Sequence, residues 1–444
     1  MNRLVIKGGR VIDPANNLDK VTDLAVAEGK VVEIGRIVPS DSDDVFDAEG
    51  LIVSPGLIDP HVHLREPGQE DRETIRTGSR AAVNGGFTAV CCMPNTQPAI
   101  DDDSRVEFVY RQARRYGSCR VFPIGAATRE RKGEQLAEMG LMARAGAVAF
   151  TDDGDCVASP GMMRRVLTYV NMTGKCFMQH CQEPTLTSGA QMHAGANSMR
   201  LGLKGWPRVA EELIIERDVR LNRPFGCRYH AQHISSGGSV EIVEKAQKEG
   251  HPITAEVSPH HLLLTDDLCN DYNPLAKVNP PLREKSDIEK LIEGIKSGVI
   301  TILGTDHAPH TRESKALEFS AAPFGIISLD CALALYVKAL ITPGHIDWPH
   351  MLAMMTINPA RLCDLDKLGM GSLAVGSAGD VTIIDPDCHW TIRVDDFLSK
   401  SRNAPYDGWE VTGRAVATVV AGELRLLRIP ERAKLREEPA TVIT

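Results

Sequence analysis

Aromatic residues make up only 5% of this 444-residue chain, too few for the stacking platforms that single-stranded nucleic acid uses. Basic charge is not in excess either: 50 Lys and Arg stand against 59 Asp and Glu, a net charge of -9. That balance offers no footprint for DNA or an anionic membrane. An anionic substrate would need local positive charge. No apolar run reaches the length of a membrane span; the richest, residues 331–341, is short and carries Lys338. The opening Met1-Asn2-Arg3-Leu4-Val5-Ile6-Lys7 lacks the long apolar segment of a secretory signal. The eleven cysteines include no Cys-X-X-Cys and lie mostly in apolar runs such as Cys91-Cys92. They read as reduced, buried thiols rather than metal ligands, and a cytoplasmic location is expected.

What remains is a globular chain, 43% hydrophobic and 25% charged, long enough for a large core. Residues 1–54 read as short strands joined by turns such as Gly8-Gly9 and Glu28-Gly29. Residues 366–430 repeat the style, with apolar runs at 381–384, 415–420 and 423–427. Neither segment is large enough to stand comfortably alone, so one small β-sandwich built from both termini is expected. Residues 431–444 are charged and are expected to form a poorly ordered tail.

Between these segments, residues 55–365 alternate apolar strands with helical stretches. Strands are expected at 57–62, 88–93, 121–124, 147–150, 176–178, 229–231, 253–256 and 300–303, with helices such as 104–115 and 240–249 between them. Eight such repeats predict an α/β fold, a (β/α)8 TIM-type barrel, whose chemistry sits at the C-terminal ends of the strands.

Those ends carry a pattern. The first gives His61 and His63, two apart and therefore on one face. The fourth gives Asp152-Asp153-Gly154, the fifth His180, the sixth His230 and His233, and the eighth Asp306-His307. Any single histidine here reads more simply as a packed core residue. Histidines and carboxylates recurring at strand ends suit one or two zinc-like ions. Arg65, two residues beyond His63, faces the same side and could grip a carboxylate bidentately; a surface salt bridge to Glu66 or Glu70 is its plain alternative.

The motifs resemble those of the amidohydrolase superfamily, and more closely class I dihydroorotase. The similarity rests on Asp59-Pro60-His61-Val62-His63-Leu64-Arg65-Glu66-Pro67-Gly68, Cys92-Met93-Pro94-Asn95-Thr96-Gln97-Pro98, Val278-Asn279-Pro280-Pro281-Leu282-Arg283, Asp306-His307-Ala308-Pro309-His310 and Ala322-Pro323-Phe324-Gly325-Ile326. It covers nearly the whole chain. It implies His61, His63, Asp153, His180, His233 and Asp306 as ligands of Zn2+, with Asp306 also the catalytic base. It favours His233 over His230, and Asp153 over Asp152. Arg65, Asn95, Asn279, His310, Phe324 and Gly325 are implied as contacts of a small anionic substrate, a cyclic amide bearing a carboxylate. His260 and His261 read as structural.

Many relatives bridge two metals with a carboxylated lysine after the fourth strand. This chain has Asp152-Asp153 there, like the branch that uses aspartate. A second departure, Ile327-Ser328-Leu329-Asp330 where Gly-Leu-Glu usually follows, is expected to affect helix packing and not chemistry. A homo-oligomer is expected, with association with aspartate transcarbamoylase as a further partnership. The competing readings are a hydantoinase or allantoinase, against which Arg65, Asn95 and the absent lysine argue, and a silent scaffold, which would have no need of a filled ligand set.

Overall fold

A computed structural model describes residues 3–435. Eight strands alternate with helices through its middle: β1 (Leu57–Val62), β2 (Phe87–Cys92), β3 (Arg120–Pro123), β4 (Ala149–Thr151), β5 (Cys176–Gln179), β6 (Tyr229–Ala231), β7 (Ile253–Val257) and β8 (Ile302–Leu303). Most of their residues are buried, as parallel strands covered on both faces require. β1, β2 and β3 form one parallel sheet. β4 to β8 pair in order in a second, which begins with Gly125–Ala126, the continuation of β3. On the far side a parallel bridge joins Val62 to His307, and His63 N–H donates to His307 O at 2.9 Å.

The intervening helices start where polar caps place them. Thr74 and Thr77 form a capping box for the helix Ile75–Asn84, and Asp102 accepts from Arg105 N–H at the start of Asp103–Tyr116. Ser159 followed by Pro160 starts Pro160–Thr173.

Both termini join one nine-stranded sheet. Leu4–Asp13 pairs with Leu18–Ala27, with Asp44–Asp47 along its first half and with Ile52–Pro55 along its second. Ile52–Pro55 in turn pairs antiparallel with Val381–Thr391, which leads to Glu410–Val420 and Glu423–Leu427. Leu4, Ile6, Val26 and Phe46 share one buried cluster with Val381, Val416 and Leu424. The expected tail is corrected at its start: Ala433 pairs with Phe46 and Lys434 with Val45, because the sheet still offers an edge there. Residues 436–444 lie outside the described residues.

The segment 396–408, inside the 366–430 stretch assigned to the terminal β-sandwich, forms no strand. It leaves between Val381–Thr391 and Glu410–Val420 and crosses to the loops after β1 and β8. Ser399 donates to Glu73 Oε2 at 2.5 Å, Ser401 to Arg72 O at 2.7 Å, and Leu398 N–H to Asp330 Oδ1 at 2.8 Å. All eleven cysteines are unpaired and nine are buried. No helix among the described residues is long and apolar enough to cross a membrane.

Candidate metal centre and substrate cavity

Asp59 ties the ends of β1 and β8 together, its Oδ1 accepting from His61 N–H at 3.0 Å and Thr305 N–H at 3.2 Å. His61 is then oriented from behind, with Nδ1 2.5 Å from Glu256 Oε1 at the end of β7. His63 Nδ1–H donates to Asn95 Oδ1 at 2.8 Å. Fixing one ring nitrogen in this way turns the other toward a ligand. Both Nε2 atoms face the same two carboxylates. His61 Nε2 lies 3.4 Å from Asp153 Oδ1 and 3.5 Å from Asp306 Oδ1. His63 Nε2 lies 3.5 Å from Asp153 Oδ2 and 3.0 Å from Asp306 Oδ1.

From the other side, His233 Nε2 and His180 Nδ1 come within 3.5 Å and 3.6 Å of Asp153 Oδ1, and within 2.9 Å of each other. The six side chains expected as ligands thus converge, all of them buried. Two overlapping groups, His61–Asp153–His233 and His61–His63–Asp306, each bring their ligand atoms within 4.8 Å of one another. His61 Nε2 and Asp153 Oδ1 are buried without a hydrogen-bond partner. Bare polar atoms of this kind call for an occupant, and a donor set of imidazole nitrogens and carboxylate oxygens fits a zinc-like ion.

Burial alone would raise the Asp153 carboxyl. The facing His61, His180 and His233 override it and hold the group well below the ordinary carboxylate range. Burial equally opposes charge on His61, but Asp153 and Glu256 raise it. Three of these strand-end residues, Arg65, His233 and Asp306, have φ of +60°, +30° and +47°. That region is sparsely populated by residues other than glycine, and such strain gathers at functional sites.

The neighbours that competed for these roles lie elsewhere. Asp152 Oδ1 accepts from Ala127 and Thr128 N–H, both at 2.9 Å, and so braces the loop beyond β3. His230 faces Thr254 Oγ1 at 2.8 Å and Glu256 Oε2 at 3.2 Å. His307 packs beside Glu73, 3.5 Å away. His261 Nε2–H donates to Pro280 O at 3.0 Å. None of these, nor His260, lines the cavity above the cluster.

That cavity holds about 320 Å³. Arg65, Asn95, Asn279, His310, Phe324 and Gly325 all line it, together with His63, Asp153, His180, His233 and Asp306. Gly68 explains how the first two loops meet. Its φ is +92°, and a Cβ there would lie 1.7 Å from Gln97 O, so the Arg65 loop rests directly on the Asn95 loop.

Arg65 is 6% exposed. Its Nε–H donates to Pro309 O at 3.2 Å, and among the described residues no carboxylate lies within 4.0 Å of it. The partners proposed for a surface salt bridge are engaged elsewhere, Glu66 with Ile75 N–H and Gln112, Glu70 with Gly68 N–H. Burial lowers the Arg65 pKa to about 10, which leaves it charged at neutral pH. Burial and then Arg65 push His310 down to about 2, so that imidazole is neutral. Its Nδ1 has no partner, and neither has Asn279 Oδ1.

Two residues of this arrangement carry little or no signal in the sequence. Glu256 orients His61, and its signal was a lone acid closing the apolar strand β7. Gln182 Oε1 lies 2.9 Å from His180 Nε2 and accepts from Asn279 Nδ2 at 3.1 Å; a loop glutamine carries no comparable signal. Asp330, in the divergent segment, accepts from Asn84 Nδ2 at 2.8 Å and does not line the cavity.

The same architecture occurs in the L-hydantoinase (dihydropyrimidinase) of Arthrobacter aurescens, with a TM-score of 0.87 and 26% identity over 96% of this chain and 97% of that one. The dihydropyrimidinase of Brevibacillus agri shares the fold at a TM-score of 0.83 and 20% identity, over 96% of this chain and 95% of its own. Fold and site together define a cyclic amide hydrolase of the amidohydrolase type, mixed α/β with a largely β terminal domain. The sequence narrows this further. A dihydro-orotase-like family model matches residues 50–239. The dihydroorotase of Pelotomaculum thermopropionicum is 45% identical over 95% of this chain and 98% of its own length. That of Solibacter usitatus is 43% identical over 96% and 98%. The chain belongs to the dihydroorotase family, as its motifs led one to expect.

Proposed function

We propose that this protein interconverts N-carbamoyl-L-aspartate and L-dihydroorotate, with loss or gain of one water, in pyrimidine biosynthesis. The observation that carries the reading is Arg65, a buried cation without a carboxylate partner, in the same cavity as the histidine–carboxylate cluster. Dihydroorotate and carbamoyl-aspartate each present a carboxylate for that guanidinium. The Asn95 amide, the Asn279 carbonyl and the neutral His310 imidazole supply hydrogen bonds around the ring.

His61, His63, Asp153, His180, His233 and Asp306 would hold one or two Zn2+ ions. When bound, zinc supplies Lewis acidity to the substrate carbonyl and to the attacking water. In ring opening, Asp306 takes a proton from that water as the new C–O bond forms. It then passes the proton to the ring nitrogen as the C–N bond breaks. Ring closure runs the same transfers backwards.

The reading includes the finer architecture: the two parallel sheets close into a (β/α)8 barrel at residues 55–365, and a terminal β-sandwich is divided between 1–54 and 366–430. The bridge from Val62 to His307 supports that closure. It also includes a cytoplasmic, self-associating enzyme, with aspartate transcarbamoylase as a partner to be tested by co-sedimentation.

A hydantoinase reading has the structural likeness to L-hydantoinase in its favour. Arg65 and the aspartate at 153 favour dihydroorotate. The deciding experiment compares turnover of dihydroorotate, hydantoin and allantoin, with zinc content measured on the same sample. Metal-replete protein that opens hydantoin or allantoin efficiently but leaves dihydroorotate untouched overturns the proposal. Metal-loaded protein inactive on all three leaves only the scaffold.

A further inference from the structure

Asn403 lies in the segment 396–408, far along the chain from every other residue of the site, and is 2% exposed. Its side chain is saturated by two loops that line the cavity. Oδ1 accepts from His310 N–H at 3.0 Å. Nδ2 donates to Ala308 O at 2.9 Å and to Gly325 O at 3.1 Å. Its own carbonyl accepts from Ile327 N–H at 3.1 Å. One residue therefore buckles the loop carrying His310 to the loop carrying Phe324 and Gly325.

The two loops are in close contact where the buckle joins them. Gly325 has φ +145°, and a Cβ there would lie 2.7 Å from Ala308 O and 2.9 Å from His310 Cδ2. An amide suits this place because it offers an acceptor and two donors in one plane. A carboxylate would keep the acceptor for His310 N–H but set its second oxygen against the carbonyls of Ala308 and Gly325. The segment itself is pinned independently, through Asp330, Glu73 and Arg72.

We infer that Asn403 is a positioning residue for substrate binding: it holds the His310 and Gly325 loops at the separation that admits substrate, so the terminal segment completes the cavity. The inference rests on the reading that these loops contact substrate. It acts through the loops and touches neither the ligand cluster nor the reacting atoms.

The test uses the full-length, zinc-loaded protein. Asn403→Ala and Asn403→Asp are compared with Asp407→Ala; Asp407 lies in the same segment and its carboxylate accepts from Val394 N–H rather than from either loop. A displacement of about 1 Å in a binding group costs up to roughly 100-fold, so kcat/KM for dihydroorotate should fall about 10–100-fold in both Asn403 variants. The loss should sit mainly in KM, with zinc content unchanged. Hydrogen exchange should accelerate at the amides of His310 and Ile327 in both variants and stay slow in Asp407→Ala. Wild-type exchange at those amides in the Asn403 variants, or an unchanged KM, overturns the inference. So does an equal KM rise in Asp407→Ala, which would make the segment's general stability the cause. Asn403→Asp, which keeps size and acceptor, decides the matter if Asn403→Ala does not fold. Should wild-type protein fail to turn over dihydroorotate, the functional reading falls, and the exchange measurement still decides the role of Asn403.

Discussion

The floor and the wall of the cavity are built on different principles. The floor is made of side chains that leave strand ends, and three of its histidines are also fixed by a partner behind them: His61 by Glu256, His63 by Asn95 and His180 by Gln182. The wall at His310, Phe324 and Gly325 is carried on loops whose main chain is held from outside by Asn403 and by Lys315. The Lys315 ammonium donates to the carbonyls of Pro323 at 3.0 Å, Gly325 at 3.1 Å and Lys277 at 3.3 Å. A floor of this kind fails when one atom is removed. A wall of this kind loses position by degrees.

The sharpest way to break the contrast is at two adjacent acids. Asp153→Ala removes the carboxylate that four histidines face, and should abolish both bound metal and turnover. Asp152→Ala should retain metal and lose stability instead, because its partners are the amides of residues 127 and 128. Metal analysis and thermal unfolding of the pair check this; equal metal loss in both would erase the distinction.

Next in size is Asp306→Asn, which keeps a carbonyl oxygen but cannot accept a proton at neutral pH. Metal should largely remain while turnover falls by about 10²–10⁴-fold in both directions. Wild-type rates from metal-loaded protein would move the base elsewhere, although neither Asp152 nor His307 lines the cavity.

Arg65→Ala loses a charged hydrogen bond worth roughly 1.5–3 kcal/mol. Catalytic efficiency should drop at least about ten-fold with metal content near wild type. Unchanged kinetics would remove Arg65 from substrate binding.

Glu256→Gln tests whether the floor depends on what stands behind it. Partners of this kind typically contribute about 10–100-fold in metal affinity. Zinc titration against a competing chelator reads that loss directly, and wild-type affinity would make Glu256 a passive neighbour.

The last test belongs to the wall. Burial pushes the Lys315 pKa down to about 7, against about 10.4 for an unperturbed lysine. Between those pH values the unfolded chain binds one proton more than the folded protein, so this group makes stability rise with pH across the window. Below about pH 7 both states are protonated and its contribution is flat. Denaturant unfolding of wild type and Lys315→Met at pH 6.5 and 9.5 should show a smaller rise in the variant; parallel behaviour would place the Lys315 proton balance outside stability.

The contrast also explains what the sequence disclosed. Strand-end histidines and aspartates announce themselves because period-two spacing and apolar runs locate the ends. His61, His63, His180 and Asp306 were legible for that reason, while His233 was separable from His230, and Asp153 from Asp152, only through the family motifs. Asn403 was not legible. Its importance comes from backbone groups roughly 75 to 95 positions away in sequence, and nothing local sets it apart from a turn asparagine. The segment 396–408 was hidden likewise, since it lies between short strands and fell with them into the stretch assigned to the terminal β-sandwich. Ala433–Lys434 was missed because charge outweighed two residues of pairing.

The terminal sheet has a consequence for synthesis. Ile52–Pro55 pairs antiparallel with Val381–Thr391, and Val45–Phe46 pairs with Ala433–Lys434. A chain made from its N-terminus at about 5–20 residues per second therefore carries incomplete strand edges for tens of seconds before their partners emerge. Unpaired edges of this kind template association with other chains. The first fifty residues are consequently the part of the nascent protein most in need of protection, and a ribosome stalled before Val381 would release a chain whose finished-looking middle trails an adhesive end.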